Sequence, residues 1–457
     1  MVNVLFILTD QLRSDCLGAF GNTDIDSKNI DSIADDGVRY TNSFCTSPVC
    51  TPSRYSILTS MYPHQHQGYT NESSIPYTYM TFPEILKNHG YKTEVIGKMH
   101  TSPSNLDVGY SKVTLAEQTE PGRYEDDYHK ELQSEGLTDT IDEYDQVLKI
   151  REHAPRSYWD SFGAMESTLS EKDHSTNWIG DSAVKAISRW EGDKNLLTVS
   201  FIKPHHPFDP PHPWSTIYNP EKLKLLPGWL EAPMNRDIEY HEGYFPHASL
   251  TVNKLKQVMA FYYANISFID YKVGQIIDVL KEKNIYEDTL IIFSSDHGEY
   301  MGFHHMLLKS NHMYDPVVKI PLIIKYPLSY NRIGTSDDLV NNIDIGPTIL
   351  KVAGIDKHRD MAGSSLLSSD DRDFVITEDN RGCAYMIRSK KYKLLYYKKE
   401  NKSLFFDLES DPFELKNLYF DESYKEKVSY FQKSLARSVL FDHPAPIYQP
   451  PDKETLK

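Results

Sequence analysis

Three short apolar segments, far apart in the chain, constrain its fold more than any other feature. They are Val4–Leu8, Leu196–Ile202 and Thr289–Phe293, and the shorter Leu322–Ile324 resembles them. Largely apolar runs of this length are typical of strands buried on both faces of a parallel sheet. Helical periodicity, clearest over residues 255–280, predicts helices between the strands. The sequence therefore predicts an α/β fold with a large, mostly parallel sheet sandwiched by helices.

Polar side chains follow directly where these predicted strands end. Asp10 and Gln11 come after the first, His205 after the second, and Asp296 and His297 after the third. Because the carboxyl ends of parallel strands meet at one edge of a sheet, where ligands bind, these side chains are expected to lie together. Carboxylate and amide oxygens with imidazole nitrogen suit a divalent cation such as Ca²⁺, Mg²⁺ or Mn²⁺.

The pattern changes near residue 370, where short strands replace the long alternation of strands and helices. We predict two domains, residues 1–368 with the large α/β sheet and residues 369–457 as a smaller C-terminal α+β domain with a short antiparallel sheet. Its predicted strands are Asp373–Thr377, Ala384–Ile387, Tyr392–Tyr397 and Leu404–Asp407, with a final helix over 424–439.

Residues 110–190 are polar and acidic, and we predict a surface insertion or partial disorder there. The alternative is a loop that covers the substrate. The chain of 457 residues carries 65 acidic and 49 basic side chains, a formal charge of −16, which argues against nucleic acid or an anionic membrane as a partner. Because no signal segment and no apolar run of membrane-spanning length is seen, the chain as given is predicted to be cytoplasmic, unless an export signal was trimmed from it.

The four cysteines form neither a disulfide framework nor a zinc-binding pattern. Cys16, Cys45 and Cys383 are predicted to be small buried apolar residues. Cys50 differs, because it opens a predicted helix, whose N-terminus favours negative charge, and Arg54 adds a permanent cation one turn later. A thiol and a cation beside a metal site suit displacement at a tetrahedral oxyanion, so the residues predict a hydrolase or transferase of sulfate or phosphate esters.

The segment Cys50-Thr51-Pro52-Ser53-Arg54 also matches the Cys-x-Pro-x-Arg signature of type I sulfatases, in the alkaline phosphatase superfamily. In that family the cysteine is converted to formylglycine after synthesis. Further segments resemble the family's motifs in order, and they are Asp10-Gln11, Gly97-Lys98-Met99-His100, Pro204-His205-His206-Pro207-Phe208, Ser295-Asp296-His297-Gly298-Glu299 and Lys309. The resemblance spans nearly the whole chain and leaves only residues 110–190 without a guide.

The resemblance implies a site for a divalent metal, most naturally Ca²⁺, with Mn²⁺ or Mg²⁺ as alternatives. Its implied ligands are Asp10, Gln11, Asp296 and His297, completed by the modified Cys50. The resemblance also implies a partner, a formylglycine-generating or sulfatase-maturing enzyme that acts on Cys50, and a small sulfated substrate.

The resemblance further implies the catalytic groups. Arg54, Lys98 and Lys309 would bind the sulfate oxygens and stabilise the charge of the transition state. His205, together with Lys309, would protonate the leaving alcohol. His100 would take the proton from the second hydroxyl of the hydrated formylglycine, so that sulfate is released.

Three residues, Asn71, His206 and His304, are predicted to border the substrate. The expected reaction is hydrolysis of a sulfate ester. A sulfated carbohydrate is the expected natural substrate, and an aryl sulfate is the expected artificial one. Many sulfatases carry a second Asp where this chain has Gln11. A Gln at that position resembles the pattern of phosphonate monoester hydrolases and phosphodiesterases of the same superfamily. That activity is therefore the alternative, and an unmatured relative that only binds its ligand is a second one.

Overall fold

The structure is a computed structural model, and it describes residues 2–119, 122–240, 244–309, 312–368 and 372–446. Within these ranges the strands are β1 Asn3–Thr9, β2 Val38–Phe44, β3 Lys92–Gly97, β4 Lys112–Leu115, β5 Asn195–Ser200, β6 Thr289–Ser295, β7 Leu322–Lys325, β8 Gly334–Asn341, β9 Val375–Asp379, β10 Ala384–Arg388, β11 Tyr392–Tyr397 and β12 Leu404–Asp407. The helices are α1 Lys28–Asp35, α2 Cys50–Thr59, α3 Pro63–His66, α4 Phe82–Asn88, α5 Asp127–Ser134, α6 Thr140–Gln146, α7 Leu148–Arg151, α8 Arg156–Asp160, α9 Ser175–Ser188, α10 Asn235–Tyr240, α11 Val252–Glu282, α12 Asp315–Val318, α13 Ile345–Val352 and α14 Lys425–Arg437.

The large sheet has eight strands in the order β4-β3-β5-β1-β6-β7-β2-β8. Its central strand β1 pairs in parallel with β5 on one side and with β6 on the other. Only β7 runs antiparallel to its neighbours, so the predicted mostly parallel sheet is confirmed. The register places Thr9 opposite Ser295, and both Leu8 and Gly97 opposite Ser200. Four strands therefore end side by side, at one edge of the sheet.

Helices cover both faces of this sheet because the strand side chains alternate between two apolar cores. Leu5 and Ile7 of β1 belong to the core that includes buried residues of α9 and α11. Val4 and Phe6 belong to the opposite core, with buried residues of α4 and α13. The long predicted helix over 255–280 is confirmed as α11.

The second sheet is antiparallel, in the order β12-β11-β10-β9, and α14 packs against it through Val428, Phe431 and Leu435. The predicted short antiparallel sheet is therefore confirmed. The division of the chain at residues 368 and 369 stays a prediction, and residues 369–371 lie outside the described ones.

The prediction for residues 110–190 is wrong for the described part of that segment. It supplies β4 to the edge of the large sheet and α9 to its cover, and Arg123, Tyr128 and Tyr158 are fully buried. Some of its charged side chains pair with each other inside the protein, as Arg123 does with Asp142. Buried charges that find partners leave no apolar pattern in the sequence, so such a segment resembles a surface segment.

All four thiols are free. Cys16 and Cys45 are buried, as predicted, whereas Cys383 is partly exposed, contrary to the prediction. Across the part of the chain that the structure describes, no helix is both long and apolar enough to cross a bilayer.

Candidate active site

Cys50 is the first residue of α2, and its side chain is 1% exposed. The Oδ1 atom of Asn71 accepts a hydrogen bond from the backbone N–H of Thr51, at 3.2 Å. The Thr51 hydroxyl donates to the carbonyl of His100, at 2.7 Å. These two contacts fix the start of α2 against Asn71, which lies between α3 and α4, and against the loop that follows β3. The N-terminus of the helix, with its partial positive charge, is thereby held beside the strand ends.

Four residues from three elements, Asp10, Cys50, Asp296 and His297, form what we call the Cys50 cluster. Each offers one ligand atom, and these atoms all lie within 4.8 Å of one another. The Cys50 Sγ lies 3.1 Å from His297 Nε2 and 3.6 Å from Asp10 Oδ1. All four side chains are buried, and their chemistry is that of a ligand set for a divalent cation.

Gln11 is adjacent to this cluster. Its backbone N–H donates to Asp296 Oδ1 at 3.1 Å, and its φ of 64° is a conformation that side chains other than glycine seldom adopt. Its side-chain Nε2 donates to the buried carboxylate of Glu299. The Gln11 Oε1 is buried and has no hydrogen-bond partner among the described residues. Glu299 therefore orients the amide and leaves its oxygen available to a cation, a role that the sequence did not reveal.

Three cations surround the Cys50 cluster. The guanidinium of Arg54 donates from Nε to Asp296 at 2.8 Å and from Nη2 to Asp10 at 3.1 Å. Lys98 Nζ lies 2.7 Å from Asp10 Oδ2. Lys309 Nζ lies 2.9 Å from the Cys50 Sγ and 2.9 Å from His297 Nε2.

These cations change the acidity of the groups they contact. Burial raises the pKa of Asp10, but the positive charges around it, those of Lys98 and Arg54 among them, outweigh burial and hold the pKa well below its usual range. Burial and Asp10 raise the pKa of the Cys50 thiol, but Lys309 and other positive groups bring it below the usual value. The cluster therefore favours negative charge at the position of Cys50.

Two histidines face this region as neutral imidazoles. His205 Nδ1 lies 2.6 Å from the carbonyl of His206, which can only accept, so Nδ1 carries the proton. Its Nε2 lies 3.4 Å from Lys309 Nζ, and its ring stacks on that of His206 at 4.2 Å. Burial, and then His206, hold the pKa of His205 well below its usual range. The same direction holds for the pKa of His100, where burial, Lys98 and Arg54 are the causes.

His100 has a φ of 55°, and its Nε2 lies 3.2 Å from the hydroxyl of Thr119. Its Nδ1 is buried without a hydrogen-bond partner among the described residues. A neutral imidazole with an unpartnered nitrogen is suited to accept a proton.

The structure thus brings most of the predicted site residues to one place. Asn71 lies at the start of α2, and His206 lies behind His205, with its Nε2 3.2 Å from Asp145. His304 is the exception, because its ring is fully buried and its Nε2 is 2.6 Å from the carbonyl of Phe413. These interior contacts oppose the prediction that His304 borders the substrate.

Two similar solved structures share this fold. One is the phosphonate monoester hydrolase of Agrobacterium radiobacter, with a TM-score of 0.78 and 22% identity over 95% of each chain. The other was solved with its substrate D-glucosamine-2-N,6-O-disulfate, with a TM-score of 0.72 and 20% identity over 96% of this chain and 97% of that one. At these identities the similarity supports the fold alone.

Sequence comparison is more specific. The arylsulfatase of Clostridium perfringens is 31% identical over 96% of this chain and 94% of its own. The N-acetylglucosamine-6-O-sulfatase of Bacteroides thetaiotaomicron is 25% identical over 99% of this chain and 88% of its own. The sulfatase family model matches residues 2–355, and the model of the N-sulphoglucosamine sulphohydrolase C-terminal region matches residues 302–439. The resemblance predicted from the motifs is confirmed: the chain belongs to the sulfatase family of the alkaline phosphatase superfamily and is a sulfuric ester hydrolase.

Proposed function

We propose that this sulfatase hydrolyses a sulfated carbohydrate or an aryl sulfate, with a formylglycine made from Cys50 as its nucleophile and Ca²⁺ as its metal. The observation that carries the proposal is the Cys50 cluster, in which the thiol of the signature lies among metal-ligand atoms within 4.8 Å. The substrate class is supported by the names of the relatives, an arylsulfatase and an N-acetylglucosamine-6-O-sulfatase.

A divalent metal fits the residues present. Asp10, Asp296 and His297, with Cys50, offer the donors, and the unpartnered Oε1 of Gln11 adds a neutral oxygen. Ligand sets rich in oxygen suit Ca²⁺, with Mn²⁺ or Mg²⁺ as alternatives. The bound cation would stabilise negative charge on the sulfate oxygens and orient the nucleophile.

The modified Cys50 would supply a hydroxyl as nucleophile. The chain's own residues then have distinct tasks. Lys98 and Lys309 neutralise the sulfate oxygens, and the N-terminus of α2 adds its partial positive charge. Arg54 donates to Asp10 and Asp296, which favours a role in holding the metal-binding carboxylates over direct binding of sulfate.

Proton transfer is assigned to Lys309 with His205, and to His100. The ring proton of His205 is on Nδ1, so Lys309 Nζ, 3.4 Å from His205 Nε2, would supply the proton that the leaving alcohol requires. His100, neutral and with an unpartnered nitrogen, would accept a proton when sulfate is released. Asn71 and His206 remain proposed substrate neighbours, one beside the start of α2 and the other stacked on His205.

Maturation is also part of the proposal. Because Cys50 is 1% exposed in the folded protein, an enzyme that modifies it must act before the chain has folded. Chain produced together with a maturing enzyme should therefore carry the aldehyde, whereas folded protein treated afterwards should not.

The decisive experiment compares Cys50→Ala with the matched control Cys383→Ala in protein produced with its maturing enzyme. Peptide mass spectrometry should show the loss of mass from thiol to aldehyde at Cys50 in wild type and in the control. Metal-dependent release of sulfate from aryl sulfates and sulfated sugars should persist in both and vanish in Cys50→Ala. Full turnover by Cys50→Ala would end the proposal.

The same preparation decides between this function and its alternatives, with a panel that includes phosphodiesters and phosphonate monoesters. These esters are included because Gln11 stands where many sulfatases carry a second Asp. Faster turnover of a phosphodiester than of any sulfate ester would reassign the substrate. An enzyme with confirmed aldehyde and no turnover of any ester would instead be a protein that binds its ligand.

A further inference from the structure

Two consecutive residues, Glu117 and Gln118, connect the edge of the large sheet with the active site. They follow β4 within the segment that the sequence pattern assigned to the surface, yet they are 2% and 0% exposed. Neither belongs to the motifs that identify the site. Both direct their side chains at the residues with proposed roles in charge stabilisation and proton transfer.

Gln118 contacts two functional groups with the two ends of one amide. Its Oε1 accepts a hydrogen bond from Lys98 Nζ, at 3.2 Å. Its Nε2 donates to the carbonyl of His206 at 3.0 Å and to Asp142 Oδ1 at 3.0 Å. That same carbonyl accepts from His205 Nδ1 and so determines which nitrogen of His205 carries the proton. Gln118 therefore fixes the direction of Lys98 and supports the atom that sets the His205 tautomer.

Glu117 acts on the backbone of the loop that carries His100. Its Oε1 accepts from the N–H groups of Met99 and His100, both at 2.9 Å. The His100 φ of 55° is an unfavourable conformation that persists only when its surroundings hold it. The backbone N–H of Glu117 donates to Asp126, which also contacts His129. These contacts hold the backbone of Glu117 in place and so help to fix the position of its carboxylate.

We propose that Glu117 and Gln118 are positioning residues of the sulfatase reaction, Glu117 for His100 and Gln118 for Lys98 and His205. The inference rests on the roles given to those three residues under the proposed function. It assigns the two neighbours to different halves of the reaction. Gln118 serves the departure of the alcohol, whose oxygen must gain a proton, and Glu117 serves the later release of sulfate.

The test uses matured, metal-loaded enzyme and a series of aryl sulfates whose leaving phenols range from acidic to basic. Gln118→Leu should lower kcat/KM by about tenfold to a hundredfold, the usual cost of removing a supporting hydrogen bond. Its loss should grow with the pKa of the leaving phenol, because a basic leaving group depends most on protonation.

Glu117→Gln should behave differently. Its steady-state kcat should fall by about tenfold or more, equally for every phenol. A rapid burst of phenol should precede the slow steady state, because the first half of the reaction is spared. The controls are Gln133→Leu and Glu135→Gln, made at exposed positions of the same segment, and neither should change the kinetics.

The outcomes separate this inference from the function beneath it. If Cys50→Ala retains activity, the proposed function fails and the inference with it. If turnover requires Cys50 but Gln118→Leu has no effect, or the same effect on every phenol, Gln118 is not a positioning residue. If Glu117→Gln shows no burst of phenol, the proposed role of Glu117 is excluded. Should the Leu variant not fold, Gln118→Asn keeps a shorter amide, and its leaving-group dependence supports or overturns the inference in the same way.

Discussion

Two regions of this sulfatase bury several charges, and they do so in opposite ways. The Asp315 network, which we define as Asp315, Arg388, Lys393 and Glu414, lies where the second sheet meets α12. Lys393 Nζ is 2.9 Å from Asp315 and 2.7 Å from Glu414, and Arg388 Nη2 is 2.9 Å from Asp315. Each of the two cations thus lies at ion-pair distance from a carboxylate oxygen, and Lys393 joins both carboxylates.

The Cys50 cluster is instead arranged around a reactive atom. Its carboxylates hold Arg54 and Lys98, but Lys309 is directed at the Cys50 Sγ, and the Gln11 oxygen has no hydrogen-bond partner among the described residues. In the Asp315 network each ion faces an ion of opposite charge, and removal of one ion is destabilising because it leaves a buried charge unpaired. In the Cys50 cluster the charge of Lys309 is directed at a reactive sulfur instead, and this difference distinguishes a structural ion pair from a functional one.

The largest effect on stability is expected in the Asp315 network. Lys393→Met removes a buried cation shared by the buried carboxylate of Glu414 and the partly exposed one of Asp315, and the free energy of unfolding should fall by about 3–5 kcal/mol. Denaturant unfolding measures the loss, and sulfatase activity of the protein that remains folded should be unchanged. Lys391→Met, at an exposed lysine paired with Glu409, is the matched control and should leave stability unchanged. A stable Lys393→Met variant with lost activity would contradict the structural role.

The counterpart in the Cys50 cluster is Lys309→Met. Here kcat/KM for an aryl sulfate should fall by about 10²–10³-fold, the usual cost of one group that stabilises transition-state charge. The melting temperature should stay close to that of wild type. Lys172→Met, at an exposed lysine, serves as the control. Strong destabilisation with intact turnover would remove the distinction between the two regions.

Asp270, a buried carboxylate without a cation beside it in the part of the chain that the structure describes, shows how burial changes the pKa. Among the described residues, Asp270 of α11 accepts hydrogen bonds from Ile30 N–H and Asn29. Burial raises its pKa to about 6, although those hydrogen bonds lower it. A raised pKa means that the stabilising contribution is complete below the unfolded value and is lost as pH rises through about 6.

Compared with Asp270→Asn, wild type should therefore lose on the order of 3 kcal/mol of unfolding free energy between acidic and neutral pH. Unfolding curves of both proteins across that range give the difference directly. In Asp315, by contrast, burial is outweighed by Arg388 and Lys393, which hold the pKa below its usual range. A constant difference between wild type and Asp270→Asn would show that Asp270 is ionised throughout.

The smallest effect concerns metal binding. At a Ca²⁺ concentration of about a hundred times Kd, the unfolding free energy should rise by about 2.7 kcal/mol, because only the folded chain assembles the site. Asp10→Asn should lose this response, whereas Asp315→Asn should be less stable yet keep it. Thermal unfolding with and without a chelator provides the measurement, and an unchanged response in Asp10→Asn would exclude it as a ligand.

Much of the fold could be predicted because its central strands are unusually apolar. The three runs became β1, β5 and β6, and the polar residues after them met at one edge, as parallel strands require. The strands β2, β3 and β8 were not predicted, because their sequences mix polar and apolar residues without a clear alternation. Pairing with a neighbouring strand, which no local pattern records, determines their conformation.

The sequence by itself determined the family and the identity of the chemical groups at the strand ends, because a signature of fixed spacing and apolar runs are local properties of a chain. Only the tertiary structure decided which polar residues are interior. Glu117 and Gln118 lie in a segment of ordinary polar sequence, whereas Glu299 lies in a recognised motif without a predicted role. All three act through hydrogen bonds to partners that are 17 or more positions away along the chain. A buried polar group needs a hydrogen-bond partner, and only the folded structure shows which residue that partner is.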